Sequence, residues 1–217
     1  MKKLKYFCKL LNTKTPFAIA RFNDGEMGAI LKNMTIISRG DQPINNELSK
    51  KLKKALTHKQ HNYFVGLPHK QKYPKYYHIA KNMVGDYKYL TSSVIFHVDN
   101  WIPAIKQITK HAQSFNPITW VGNENHNLSN IPINITTHIK VNAQNAWDSY
   151  IKVRDYEPKD KELILISAGP LGRVLTKEWF QRNPRCFILE IGSIFDPWTR
   201  NVQHQYQMKR IQNATFS

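Results

Sequence analysis

Cysteine is scarce here: the 217-residue chain has two, Cys8 and Cys186. Neither belongs to a CxxC or Cys/His cluster, which argues against a structural zinc and a disulfide framework and fits a reducing, cytoplasmic setting. Long apolar runs are missing too. No stretch reaches the roughly 18 residues that a membrane-spanning helix needs, and charges interrupt Met1–Leu11 too often for a signal peptide. The Asn-x-Ser/Thr sequons at Asn33, Asn127, Asn134 and Asn213 therefore carry little weight, since glycosylation follows secretion. Neither GxGxxG nor a P-loop occurs, which counts against dinucleotide oxidoreductases and P-loop kinases. The nine histidines show no HxH or HExxH spacing. His97, His126 and His204, nearest to strand ends or loops, read most simply as surface or satisfied core residues. Acidic residues are few, 15 against 32 lysines and arginines, for a net charge of +17. Such an excess favours anionic partners, whether nucleic acid, acidic lipid headgroups or phosphorylated substrates, although a Lys-, Asn- and Ile-rich coding bias would produce the same charge with no partner. The lysines form no single stripe and no nucleic-acid motif, so nucleic acid is not the expected partner. Peripheral contact with an anionic membrane remains open.

What is present is a globular composition, 41% hydrophobic and 12% aromatic. At this length one domain can span residues 1–217 and bury its own core. Apolar runs alternate with helical periodicity, which predicts an α/β fold with a mostly parallel sheet. The expected strands are Phe17–Phe22, Tyr63–Leu67, Val94–Val98, Ile118–Val121, Leu163–Ser167 and Cys186–Ile191. An N-terminal amphipathic helix is expected within residues 1–13, with Leu4, Phe7, Leu10 and Leu11 on one face. A second presents Ile44, Leu48, Leu52 and Leu56 every four residues. Trp101–Ala112, Ala146–Tyr156 and Leu171–Gln181 have similar patterns, and 203–217 forms a C-terminal helix or tail. The longest irregular stretches are Met34–Pro43, Pro68–Pro74 and Asn123–Ile133. Near the second, Lys70, Lys72 and Lys75 alternate with Tyr73, Tyr76 and Tyr77, a patch open to base stacking, a membrane or acceptor surface, or plain solvent.

Three strand ends carry polar groups. The first, Phe17-Ala-Ile-Ala-Arg-Phe-Asn-Asp-Gly-Glu26, places Asp24 and Glu26 one residue apart after an apolar strand. Two carboxylates on such a turn suit a hard divalent cation, and Arg21 beside them could meet an anion that the cation also holds. The same residues equally describe a turn whose aspartate caps the following helix, and Arg21 could instead pair with a structural carboxylate. The second, Leu163-Ile-Leu-Ile-Ser-Ala-Gly-Pro170, runs a strand into Ser167, Ala168, Gly169 and Pro170 and then a helix, the geometry in which a helix N-terminus meets phosphate. The third ends at Glu190-Ile-Gly-Ser-Ile-Phe-Asp-Pro197, with Gly192, Ser193 and Asp196. All three would face the carboxyl edge of one sheet, where α/β folds bind ligands.

Taken in order, Arg21–Glu26, Ser167–Pro170 and Glu190–Pro197 resemble the motifs of the GT-D-type glycosyltransferases, a family long described as domain of unknown function 1792. Ile118–Glu124 and Asn145–Trp147 are similar as well. The resemblance implies a Rossmann-like domain with helices on both faces that transfers a sugar from a nucleotide-sugar donor, a UDP-sugar first of all, to a glycan or glycoprotein acceptor. It maps an Asp-x-Glu motif onto Asp24 and Glu26 as ligands of Mn²⁺ or Mg²⁺ bridging the donor diphosphate. Arg21, Ser167, Ala168, Gly169, Pro170, Gly192 and Ser193 are the expected donor contacts. Asp196 and Glu124 are candidates for the catalytic base. Asn23 stands where the family often has glycine, and Glu190 where aspartate is common; a buried Glu190 would need a partner such as Arg185 or Arg200. Two other readings stay open, a basic nucleic-acid-binding protein and a non-catalytic domain of the same fold.

Overall fold

A computed structural model describes residues 1–32, 45–96 and 100–200. The chain opens with helix α1 (Leu4–Asn12), then β1 (Ala18–Arg21), α2 (Asp24–Ile30), α3 (Asn46–Leu56), β2 (Tyr63–Leu67), α4 (Pro74–Val84), β3 (Leu90–Ser92) and α5 (Trp101–Ala112). The second half runs β4 (Ile118–Asn123), β5 (Thr137–Val141), a 3₁₀ turn (Ala146–Ser149), α6 (Tyr150–Val153), β6 (Leu163–Ser167), α7 (Gly169–Arg182), β7 (Phe187–Glu190) and α8 (Asp196–Thr199). The seven strands form one sheet in the order β3-β2-β1-β7-β6-β4-β5, and every neighbouring pair is parallel. The chain winds outward from β1 to β3, crosses to the other half, and returns through β6 and β7 to β1.

The inner strands are apolar on both faces because helices cover both. Successive side chains point to opposite sides of a strand. Ala18, Ala20, Ile164, Ile166 and Ile188 therefore pack with α2, α3, α4 and α7. Ile19, Leu163, Leu165, Phe187 and Leu189 pack with α1 and α5. Leu48, Leu52 and Leu56 of α3 are fully buried, as their four-residue spacing requires, and each such leucine contributes about 1.5–3 kcal/mol of transfer free energy. α1 buries Phe7, Leu10 and Leu11. Among the described residues no helix is long and apolar enough to cross a membrane.

Several expectations need correction. The strand placed at Val94–Val98 is the three-residue β3 upstream; Val94, Ile95 and Phe96 lie in a turn, and Ile95 and Phe96 enter the core without joining the ladder. β5 escaped notice because its burial is exposed or partial until Val141. α4 begins at Pro74, whose fixed φ suits the first helical turn. This helix changes the tyrosine patch: Tyr76 is buried, and Tyr73 and Tyr77 pack against the core, so the rings are not a free stacking platform. The expected helix at Ala146–Tyr156 is a 3₁₀ turn followed by the short α6. Ile44, His97, His204, the 203–217 segment and all of Met34–Pro43 lie outside the described residues.

Candidate functional site

β1, β7 and β6 are adjacent in the sheet. Their carboxyl ends therefore bring the Asp24–Glu26 turn, the Gly192–Asp196 segment and the Ser167–Pro170 turn to one rim. β4 ends next to β6 and carries Glu124 just beyond it. The rim lies where the winding direction reverses, the position at which open α/β sheets leave a crevice for ligands.

Beneath it lies a buried ionic network of two arginines and two glutamates. Arg21 is 3% exposed; its Nε donates to Glu190 Oε2 at 2.9 Å and to the Glu190 carbonyl at 2.6 Å, and its Nη1 donates to the Ser93 carbonyl at 3.0 Å. Arg173 reaches Glu190 Oε1 at 3.2 Å and Glu26 Oε1 at 3.1 Å. It also donates to the carbonyls of Arg21 (2.8 Å) and Gly169. The four side chains balance in charge, as a buried cluster must. One guanidinium thus ties the end of β1, the first turn of α7, α2 and β7 together.

This arrangement decides questions the sequence left open. Arg21, expected among the donor contacts, sits under the rim against Glu190, so the structural pairing is the one realised. Gly192 closes over it: with φ at +59°, a Cβ there would stand 2.4 Å from Arg21 Nη2. The partners of Glu190 are Arg21 and Arg173, because Arg185 pairs with Asp160 at 2.8 Å and Arg200 with Asp196 at 3.8 Å. Arg173 was missed. Its signal was there: it follows Gly169 by four residues, one helical turn, and two buried carboxylates needed two cations.

The two proposed metal ligands differ. Glu26 is buried; its Oε2 accepts the Asn23 N–H at 2.9 Å, closing the first turn of α2, and its Oε1 is held by Arg173. Asp24, the first residue of α2, is half-buried, and among the described residues nothing hydrogen-bonds or ion-pairs with its carboxylate. Asn23, not Asp24, takes the N-cap position. Among the described residues no group of three or more His, Cys, Asp or Glu side chains could hold a metal. That excludes a closed, all-protein cage there. It fits an open site for a hard cation, which uses one or two carboxylates and completes its shell with water and phosphate oxygens. Asp24 fits best, because both oxygens of the buried Glu26 already have partners in Asn23 and Arg173.

Around the rim, Ser167, Gly169, Pro170, Gly192 and Ser193 are half-buried, and Ala168 is buried. Gly169, at φ +50°, opens the 14-residue α7. Asp196 is 4% exposed and opens α8, whereas Glu124 is exposed and accepts the Ala143 N–H at 3.2 Å. The two carboxylates belong to one neighbourhood, because the Asn127 N–H donates to the Thr199 carbonyl at 2.9 Å and joins the segment after β4 to α8. His126, two residues after Glu124, is buried against Trp120. Its Nδ1 accepts from Trp120 Nε1 at 3.2 Å, and burial, followed by the charges of Arg200 and His138, pushes its pKa down to about 4. It is therefore neutral near pH 7.

No family model matches the chain, and no curated protein sequence matches it. Solved structures do share its fold. A glycosyltransferase (DUF1792) from Streptococcus sanguinis superposes with a TM-score of 0.64 at 18% identity, covering 89% of this chain and 81% of that one. A second, a conserved domain of unknown function 1792 described as having a distinct glycosyltransferase fold, gives 0.62 at 16% identity over 86% of this chain and 76% of that one. The selenomethionine form of a DUF1792 domain gives 0.63 over the same shares. The chain has the DUF1792 glycosyltransferase fold.

Proposed function

We propose that the chain is a metal-dependent glycosyltransferase that moves a sugar from a nucleotide-sugar, with UDP-sugars the leading candidates, to a glycan or glycoprotein acceptor. One observation carries this reading. A carboxylate with no partner among the described residues, a strand-to-helix turn and a glycine turn from three adjacent strands meet at the carboxyl edge, over a charge-balanced buried network.

Each part has a task. The start of α7, with its unpaired N–H groups and helix dipole, favours the donor's diphosphate beside Ser167 and Gly169. Asp24, seconded by Glu26, would hold Mg²⁺ or Mn²⁺, which supplies Lewis-acid stabilisation of charge on the departing diphosphate. Arg173 and Arg21 act by positioning: they lock α2, α7, β1 and β7 so that the rim needs little rearrangement when charge develops. A base is required if the sugar's configuration inverts, and Asp196 and Glu124 are our candidates for it.

The test is a transfer and donor-hydrolysis assay with UDP-, GDP- and dTDP-sugars and Mn²⁺. Asp24→Asn should lower turnover by roughly 100-fold or more, the scale of losing a transition-state charge stabiliser. Undiminished turnover by Asp24→Asn in EDTA would remove the proposal. Donor binding without turnover by the unaltered chain would point instead to a non-catalytic domain of this fold.

A further inference from the structure

A groove of about 640 Å³ runs down the flank of the molecule between α5 and the segment joining β4 to β5. Its volume lies in the range of ligand-binding clefts. Trp198 lines it. That residue belongs to α8, the single turn that starts at Asp196, so the groove begins beside the proposed catalytic rim. From there it follows α5 from Ile105 to Gln113, a rise of about 12 Å at 1.5 Å per residue. That length exceeds one sugar ring. The occupant is extended.

The lining states its chemistry. Trp198 is backed by Trp101 and Phe195, with ring centroids 6.2 Å and 6.0 Å away, which fixes its plane. Its half-buried indole offers an apolar surface of the kind that stacks on the C–H face of a pyranose. Among the described residues Lys106 and Lys110, one turn apart on α5, carry no ion pair, and no carboxylate lines the groove. Asn130 opposite adds an amide, which both donates to and accepts from a ligand's hydroxyls. Two separate ammonium groups, with the N-terminus of α5 away at Trp101, suit single carboxylates spaced along a chain.

We propose that this groove binds the acceptor as an acidic oligosaccharide, with one sugar on Trp198 beside the rim and uronate carboxylates on Lys106 and Lys110. The identification as acceptor rests on the glycosyltransferase reading above; the binding of an acidic glycan does not.

The experiment titrates the isotope-labelled full chain, without donor, with tetragalacturonate, neutral maltotetraose and hexaglutamate, following the Trp198 indole N–H signal assigned with Trp198→Phe. Tetragalacturonate should shift that signal. Lys106→Gln with Lys110→Gln should weaken binding by roughly tenfold. Equal binding of maltotetraose would overturn the acidic requirement, and equal binding of hexaglutamate the sugar requirement. No perturbation of Trp198 by any probe would overturn the site itself. Because donor is absent, failure here leaves the donor reading standing. Success here alongside failure of donor turnover would place the error in the function.

Discussion

Arg173 illustrates what a single residue decides in this chain. Its guanidinium satisfies two glutamates and two carbonyls from four elements, so removing it leaves buried carboxylates uncompensated. Arg173→Met should cost about 3–5 kcal/mol, the range for breaking one side of a buried ionic network, checked by urea unfolding. An equal loss in Arg173→Met and in Arg173→Met/Glu190→Gln would show that the two act as one unit. His126 gives a pH signature. Its folded pKa of about 4 lies below the ordinary 6.5, so between those values the unfolded chain binds a proton that the folded chain refuses. The contribution of His126 to stability should fall as pH drops from 6.5 to 4 and change no further below that. Denaturant melts of His126→Gln over that range should show a shallower slope than the unaltered chain. The carboxylate pair Asp24 and Glu26 was legible in the sequence because it is local. The partners of Glu190 were not, because Arg21 stands 169 residues away and only the β1–β7 pairing brings them together.

At the scale of elements, the buried central strands were readable from their continuous apolar runs. Tyr63–Leu67 and Leu163–Ser167 match the observed bounds. Of the two edge strands, β5 is mostly exposed or half-buried and leaves a weak pattern, whereas β3 is buried but only three residues long, and the apolar Val94–Phe96 turn imitated a strand. The seating of α7 on β6 depends on Gly172, where a Cβ would stand 2.8 Å from Ile166 Cγ2. Alanine is the better helix former by about 1 kcal/mol. The stiff, buried β-branched isoleucine cannot yield cheaply, so overpacking, typically 1–3 kcal/mol, decides the sign. Gly172→Ala should therefore be destabilising. Combining it with Ile166→Leu, which lacks the Cγ2 methyl, should recover part of the loss, and strict additivity in the denaturation cycle would disprove the contact.

For the whole molecule, the parallel order β3-β2-β1-β7-β6-β4-β5 makes three distant loops into one rim. The order of motifs along the chain anticipated this convergence; the network that supports it and the flanking groove needed coordinates, since Lys106, Thr109, Asn130 and Trp198 share no pattern in sequence. The charge of +17 attends the whole surface and favours anionic ligands without selecting one. On the proposed function, selection falls to the rim, where Asp24 would hold a cation shared with the donor. Thermal unfolding of the full chain with a UDP-sugar tests this most directly. A donor at about 100 times its Kd adds roughly 2.7 kcal/mol, or roughly 5–10 °C in Tm for a chain of this size. The rise should occur with Mn²⁺, vanish in EDTA, and vanish in Asp24→Asn while the Tm without ligand stays unchanged; the same rise in EDTA or in Asp24→Asn would contradict the account.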